Sequence, residues 1–196
     1  YNPSDEHDAC GVGFVASTEA KKSRKVVEYG IQALKAVWHR GAVDADGKTG
    51  DGAGIHIEIP KDFFIERIEN AGRRHDDGII CVGMIFLPKN DYGAQEKCKT
   101  IVENELLKRN YYIYRWRQVP VNTRVLGVKA EANRPEIVQI IFKSNNKNLK
   151  NDDLERDLFI ARKIIEKQSN SLKLQDFYIC SFSSKSIIYK GMFLAE

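Results

Sequence analysis

The sequence predicts an α+β fold in which sheets pack against helices. Strand-like and helix-like segments both abound, but without the strict alternation of a doubly wound parallel sheet. Hairpin-like strand pairs stand at both ends of the chain. The near-continuous apolar run "IICVGMIFLP" (79–88) reads as a central strand covered on both faces. At 196 residues the chain fits one large domain with a real core.

The elements follow in order. Residues 11–17 form an apolar run that reads as a buried strand. Ser23 is placed to cap a helix carrying Val26, Val27, Tyr29, Ile31, Ala33, Leu34, Ala36 and Val37. That helix should stop near "HRGA", with Gly41 in the left-handed conformation. "DADGKTGDGAG" (44–54) is a glycine-rich loop. "IHIEIP" (55–60) alternates and predicts a strand with one buried face. "KDFFIERIENAG" (61–72) is a short amphipathic helix. A longer helix over 91–110 places its apolar stripe on Ile101, Val102, Leu106 and Leu107. "YYIYRWRQVP" (111–120) alternates again, and "EIVQIIFKS" (136–144) is a further strand. A polar loop over 145–153 leads to a helix with Asp153 as its cap and Leu158, Phe159, Ala161, Ile164 and Ile165 on its apolar side. "DFYICSFSSKSIIYKGM" (176–192) predicts two strands joined by a tight turn at Ser183, Ser184 and Lys185.

Composition excludes several classes of function. Lys plus Arg number 31 and Asp plus Glu 27, a net charge of +4 spread along the chain. Nucleic-acid binding calls for a clustered basic face instead, and the one basic aromatic stretch, 111–120, alternates like an ordinary strand. No stretch approaches the ~18 consecutive apolar residues of a membrane span, and the first residues do not form a signal peptide. The four cysteines, Cys10, Cys81, Cys98 and Cys180, show neither zinc spacing nor a compact disulfide framework. That pattern predicts a reduced, cytoplasmic protein without a metal site.

Three stretches hold candidate chemistry. Cys10 stands before Gly11-Val12-Gly13; by residue type it reads as a buried core thiol, while two glycines beside a strand-tip thiol leave room for a substrate. In "HRGA", Arg40 is either a helix-end surface charge or a carboxylate-binding guanidinium. "DGKTGDGAG" fails as a phosphate loop, because a strand and not a helix follows it, and "DADG" lacks the later Glu of a calcium loop. Thr49, Asp51 and Gly52 are its best candidates for the wall of a pocket.

The order of these stretches is specific. "DACGVGF", an amphipathic helix, "HRGA", then "DGKTGDGAGI" together resemble the class II glutamine amidotransferase domain at the amino terminus of glutamate synthase large subunits, an N-terminal nucleophile (Ntn) hydrolase. "GMIFLP", "WRQVPVN", "VLG" and the segments from "LFIARKIIEK" to "IIYKGM" continue the likeness in the same order, over essentially the whole chain.

The resemblance implies an αββα sandwich of two mainly antiparallel sheets with flanking helices, here incomplete. It implies a propeptide-like segment over 1–9 and the N-terminal part of the amidotransferase domain over 10–196. Cys10 would be the nucleophile. Arg40 and Gly41 would support the nucleophile loop and the glutamine pocket, with Thr49, Asp51 and Gly52 beside them. The substrate implied is glutamine, hydrolysed to glutamate and ammonia for glutamate biosynthesis. FMN, the iron–sulfur cluster and NADPH belong to family parts that this chain does not resemble. The family's substrate-carboxylate arginine and oxyanion Asn-Gly pair lie in segments that do not appear within these 196 residues. The implied partners are therefore the remaining glutamate synthase segments or subunits, or a second copy covering the incomplete sheet. Activity stays open: the other reading is an inactive relative that serves as a binding or interaction module.

Overall fold

The computed structural model describes residues 11–192 and Leu194. It is an α+β structure that divides into two compact units, one drawn from Tyr1–Ile55, Asn122–Arg134 and Lys190–Glu196, the other from His56–Val121 and Pro135–Tyr189. Its strands are β1 (Ala53–Glu58), β2 (Ile80–Leu87), β3 (Tyr111–Gln118), β4 (Glu136–Ser144), β5 (Tyr178–Ser183) and β6 (Ser186–Gly191). Its helices are α1 (Arg24–Ala36), α2 (Lys61–Glu69), α3 (Tyr92–Lys108), α4 (Val128–Asn133) and α5 (Asn151–Ser171), with 3-10 turns at Trp38–Arg40 and Thr123–Val125.

The second unit is built on a four-stranded sheet of order β3-β4-β2-β5 in which every pairing is antiparallel. β2 is central because both of its faces are apolar. Cys81, Ile85 and Leu87 point to one side, where Val102 and Leu106 of α3 and Leu158, Ala161 and Ile165 of α5 bury them. Val82 and Met84 point to the other, against Phe64 and Ile68 of α2 and Ile187 of β6. Gly83 is required by its neighbours, since a Cβ there would stand 2.7 Å from Ile140 Cγ2 and 2.7 Å from the Phe182 ring.

β1 and β6 pair in a separate two-stranded sheet. The expected C-terminal hairpin is thus corrected: β5 and β6 are joined by the predicted tight turn but belong to different sheets. Side chains take the place of a ladder there, with Ile188 N–H donating to Ser181 Oγ at 3.2 Å. The turn is fixed from α5 by Glu155, which accepts from Ser183 Oγ at 2.8 Å, Ser184 N at 2.8 Å and Ser184 Oγ at 2.6 Å.

In the first unit α1 forms as predicted, with Ser23 accepting from Lys25 N. Its stripe is only half-buried; Gly30 leaves ordinary contact distance to Ile55. Residues 11–17, expected as a buried strand, have no regular structure, and Val12 is 89% and Phe14 90% exposed. A strand exists through its ladder partner, and the described residues offer this run none. Gly13 has open space where a Cβ would lie, so no close approach demands a glycine at that point.

Three smaller expectations also give way. Gly41 is extended (φ −88°, ψ 147°), and α1 ends instead at Val37, whose N–H bonds back to Leu34 and Lys35. Asp153 lies inside the first turn of α5, paired with Arg156, and the capping position is Lys150. Leu107 and Phe159 are exposed, because each apolar stripe is one residue narrower than the sequence suggests.

Candidate functional site

The loop before β1 is a small folded unit. Val43 and Gly50 form an antiparallel bridge, Asp44 N–H donates to Thr49 O at 2.9 Å, and Asp51 N–H donates to Ala42 O at 3.2 Å. Gly47, at φ +67°, completes the turn between them, closed by its N–H to Asp44 O at 2.9 Å. These bonds bring the two ends of the loop together: a Cβ on Gly41 would stand 3.1 Å from Asp51 Oδ1. Gly52 follows at φ +127°, a conformation that L side chains rarely adopt. Of the predicted residues, Gly41, Asp51 and Gly52 are therefore neighbours at the loop mouth. Arg40 closes the adjoining 3-10 turn Trp38–Arg40.

Thr49 has a different position. It is buried, and its hydroxyl donates to Asp46 Oδ2 at 2.6 Å while accepting from Ala130 N at 3.4 Å. Asp46 accepts from Lys48 N and Thr49 N through Oδ1, at 2.9 and 2.7 Å, and from Val128 N through Oδ2 at 3.0 Å. The Thr49 hydroxyl first, then the backbone amides of Thr49, Lys48 and Val128, hold the Asp46 carboxyl far below the usual carboxylate range. Together the two side chains cap α4, whose N-cap, Gly127, has no side chain of its own to do so.

Gly127 is glycine because the loop sits on it: a Cβ would overlap Thr49 Oγ1 and Asp46 Oδ2 and stand 2.6 Å from Thr49 N. Lys129 adds an ion pair to Asp44 at 2.6 Å. Thr49 is thus part of a clamp that fixes the loop to α4. Asp44, Asp46, Gly127 and Lys129 were not among the sequence candidates. The spacing D-x-x-T carries the local half of the signal, an Asp accepting from the residue three positions on. The other half crosses some eighty positions of chain and leaves no local pattern.

Cys10 lies outside the described residues, as does the 1–9 segment. Cys81, Cys98 and Cys180 are buried thiols. Burial pushes Cys98 up to about 11 and Cys81 higher still, so neither is primed as a nucleophile. Among the described residues no group of three His, Cys, Asp or Glu is placed to hold a metal ion, and no helix is long and apolar enough to cross a membrane.

An antiparallel sheet flanked by helices, with a glycine-shaped loop leading into a strand, sets the fold class as α+β. The chain belongs to the family described as glutamine amidotransferases class-II, whose family model matches residues 10–196. It is 59% identical over 196 residues to the glutamate synthase [NADPH] large chain of Azospirillum brasilense, covering all of this chain and 13% of that protein. It is 40% identical over 189 residues to ferredoxin-dependent glutamate synthase 2 of Synechocystis, covering 96% of this chain and 12% of the relative. Against ferredoxin-dependent glutamate synthase 1 of Arabidopsis thaliana the identity is 39% over 193 residues, or 97% and 12%. The chain thus spans about an eighth of the length of these relatives, 12–13% in each case.

Proposed function

We propose that this chain carries the glutaminase half-reaction of a glutamate synthase, with Cys10 as N-terminal nucleophile and glutamine as substrate. The observation that carries the reading is where the family match opens: it runs from residue 10, the cysteine itself, to residue 196. The 59% identity to a glutamate synthase large chain supports the synthase type.

The chemistry follows from one residue. A free thiol has a pKa of ~8.5, so little of it is thiolate at neutral pH, but an α-amine with a pKa of ~7.7–8 on the same residue is an adjacent base. The amine takes the Cys10 thiol proton as sulfur attacks the glutamine amide carbon. The C–N bond then breaks, and the amine returns its proton to the departing ammonia. Water hydrolyses the γ-glutamyl thioester to glutamate and restores the thiol. The amine is free only once the peptide bond between Ala9 and Cys10 is cut, so the reading includes removal of 1–9.

Arg40, Gly41, Asp51 and Gly52 form the pocket side of this reading, supported by the meeting of Gly41, Asp51 and Gly52 at the loop mouth. Thr49 enters it as the loop's anchor. The helix layer, four-stranded sheet and β1–β6 pair are in keeping with part of an αββα Ntn sandwich. The carboxylate-anchoring arginine, the oxyanion donors and the redox cofactors of glutamate synthesis would come from other synthase segments. Three buried thiols suit the reducing cytoplasm.

The test is ammonia release from glutamine by the full protein. Wild type should exceed Cys10→Ala by at least about a thousandfold. Equal rates in the two would overturn the assignment.

A further inference from the structure

Three arginines of the second unit converge around Phe63 on α2 and β3. The Arg67 guanidinium carbon lies 4.9 Å from the Phe63 ring centroid, and that of Arg117 lies 5.2 Å from the same centroid. Arg115 Nη1 donates to the backbone carbonyl of Arg67 at 3.0 Å, which places the third guanidinium against α2.

What holds Arg115 and Arg117 is neutral. Arg117 Nη1 donates to Oε1 of Gln139 at 2.7 Å, and Gln139 is fully buried and oriented by the Tyr189 hydroxyl at 3.3 Å. Arg115 is held by two carbonyls, those of Arg67 and, at 3.3 Å, Trp116. Among the described residues the carboxylate paired with the trio is Glu66, 3.7 Å from Arg67 Nη2 and 59% exposed. Arg67 Nε is buried without a hydrogen-bond partner. Arg109, Arg156 and Arg162 on the same unit each lie on a carboxylate at 3.1 Å or less. Arg115 and Arg117 are therefore fixed in position by uncharged acceptors and Arg67 by the Phe63 ring and Glu66, which leaves three positive charges against one exposed negative. Burial, and after it repulsion from Arg67 and Arg115, lowers the pKa of Arg117.

We propose that Arg67, Arg115 and Arg117 form a binding site for a phosphate-class dianion. The surplus of two charges matches a dianion, where a single carboxylate would neutralise half of it. Planar guanidinium forks suit phosphate oxygens, and two of the three, Arg67 and Arg117, lie against one ring, Phe63. Inorganic phosphate and a phosphate monoester share this chemistry.

The experiment is arginine-specific modification of the full protein by phenylglyoxal, read by peptide mass. Inorganic phosphate is titrated at ionic strength held constant with chloride, and glucose 6-phosphate is titrated in a parallel arm. Modification of Arg67, Arg115 and Arg117 should fall at least fivefold, saturably, in one or both arms, with the tighter arm identifying the form of phosphate preferred. Arg156, already paired with Asp153, should be unaffected. In the variant R67Q/R115Q the protection of Arg117 should be lost. Protection no greater than chloride gives in wild type, or equal for Arg156 and the trio, would overturn the site without reliance on any variant folding.

Discussion

At Gly127 a single hydrogen decides whether the loop over 41–52 has its seat. The backbone there is ordinary (φ −73°, ψ 165°), so glycine is needed for space and not for conformation. Gly127→Ala would drive a methyl group into the Asp46–Thr49 pair, whereas Asp46→Asn removes only one acceptor, that for the Thr49 hydroxyl and Val128 N–H. Both substitutions should raise the KM for glutamine at least fivefold through displacement of Gly41, Asp51 and Gly52. G127A should be the more severe, because overlap cannot be relieved by rotation. Steady-state glutaminase kinetics on the two variants checks this, and unchanged KM in both would separate the loop from the substrate. The Asp46 carboxyl is held far below its ordinary range, so the clamp persists throughout neutral pH and is lost only when strong acid protonates it. Of these residues the sequence disclosed Thr49 but not its task. The role of Thr49 depends on Ala130 and Val128, and no periodicity links positions so far apart in the chain.

Among the elements, the two-faced strand β2 and the strands β1, β3 and β4 were legible, and what depended on finding a ladder partner was not. β2 is apolar at nearly every position, and that pattern alone marks a strand between two layers. The run over 11–16 looks similarly apolar, yet it has no ladder partner among the described residues and stays exposed. The segment over 176–192 reads as a hairpin because two strands flank a serine turn. Glu155 of α5 and the hydroxyl of Ser181 redirect it, and neither contact is local. At the centre of the sheet, Gly83 lets Phe182 lie against Phe142, with ring centroids 5.0 Å apart. Gly83→Ala should destabilise the domain by about 1–3 kcal/mol, because the methyl group has no space between Ile140 and Phe182. Urea unfolding of the variant measures it; a loss under about 0.5 kcal/mol would mean that the sheet gives way easily at this point.

For the whole molecule, the buried apolar core is concentrated in one unit. Among the described residues, Ala130 is the one buried hydrophobic of the first unit, and all others belong to the second. The first unit is instead held by hydrogen bonds, half-buried contacts and the Asp44–Lys129 pair. Buried thiols and tyrosines make the core sensitive to alkali. Burial raises Cys98 from 9.0 to about 11 and Tyr114 from 10.0 to about 12. The folded state therefore keeps protons that the unfolded chain releases: this stabilisation is complete below the ordinary thiol value and is lost as pH rises through the raised ones. The urea midpoint should hold steady to about pH 8.5 and fall between about pH 9 and 11, less steeply in Cys98→Ala. A midpoint constant to pH 11 would contradict it.

The role proposed for Cys10 is that of a mature N-terminal nucleophile for glutamine. Its most direct test is to treat the full protein with a diazoketone analogue of glutamine and map the adduct by peptide mass. One adduct is expected, on a peptide that begins at Cys10, with Cys81, Cys98 and Cys180 unmodified. An adduct on any other cysteine, or an unmodified Cys10 still joined to Ala9 in enzyme that releases ammonia from glutamine, would contradict it.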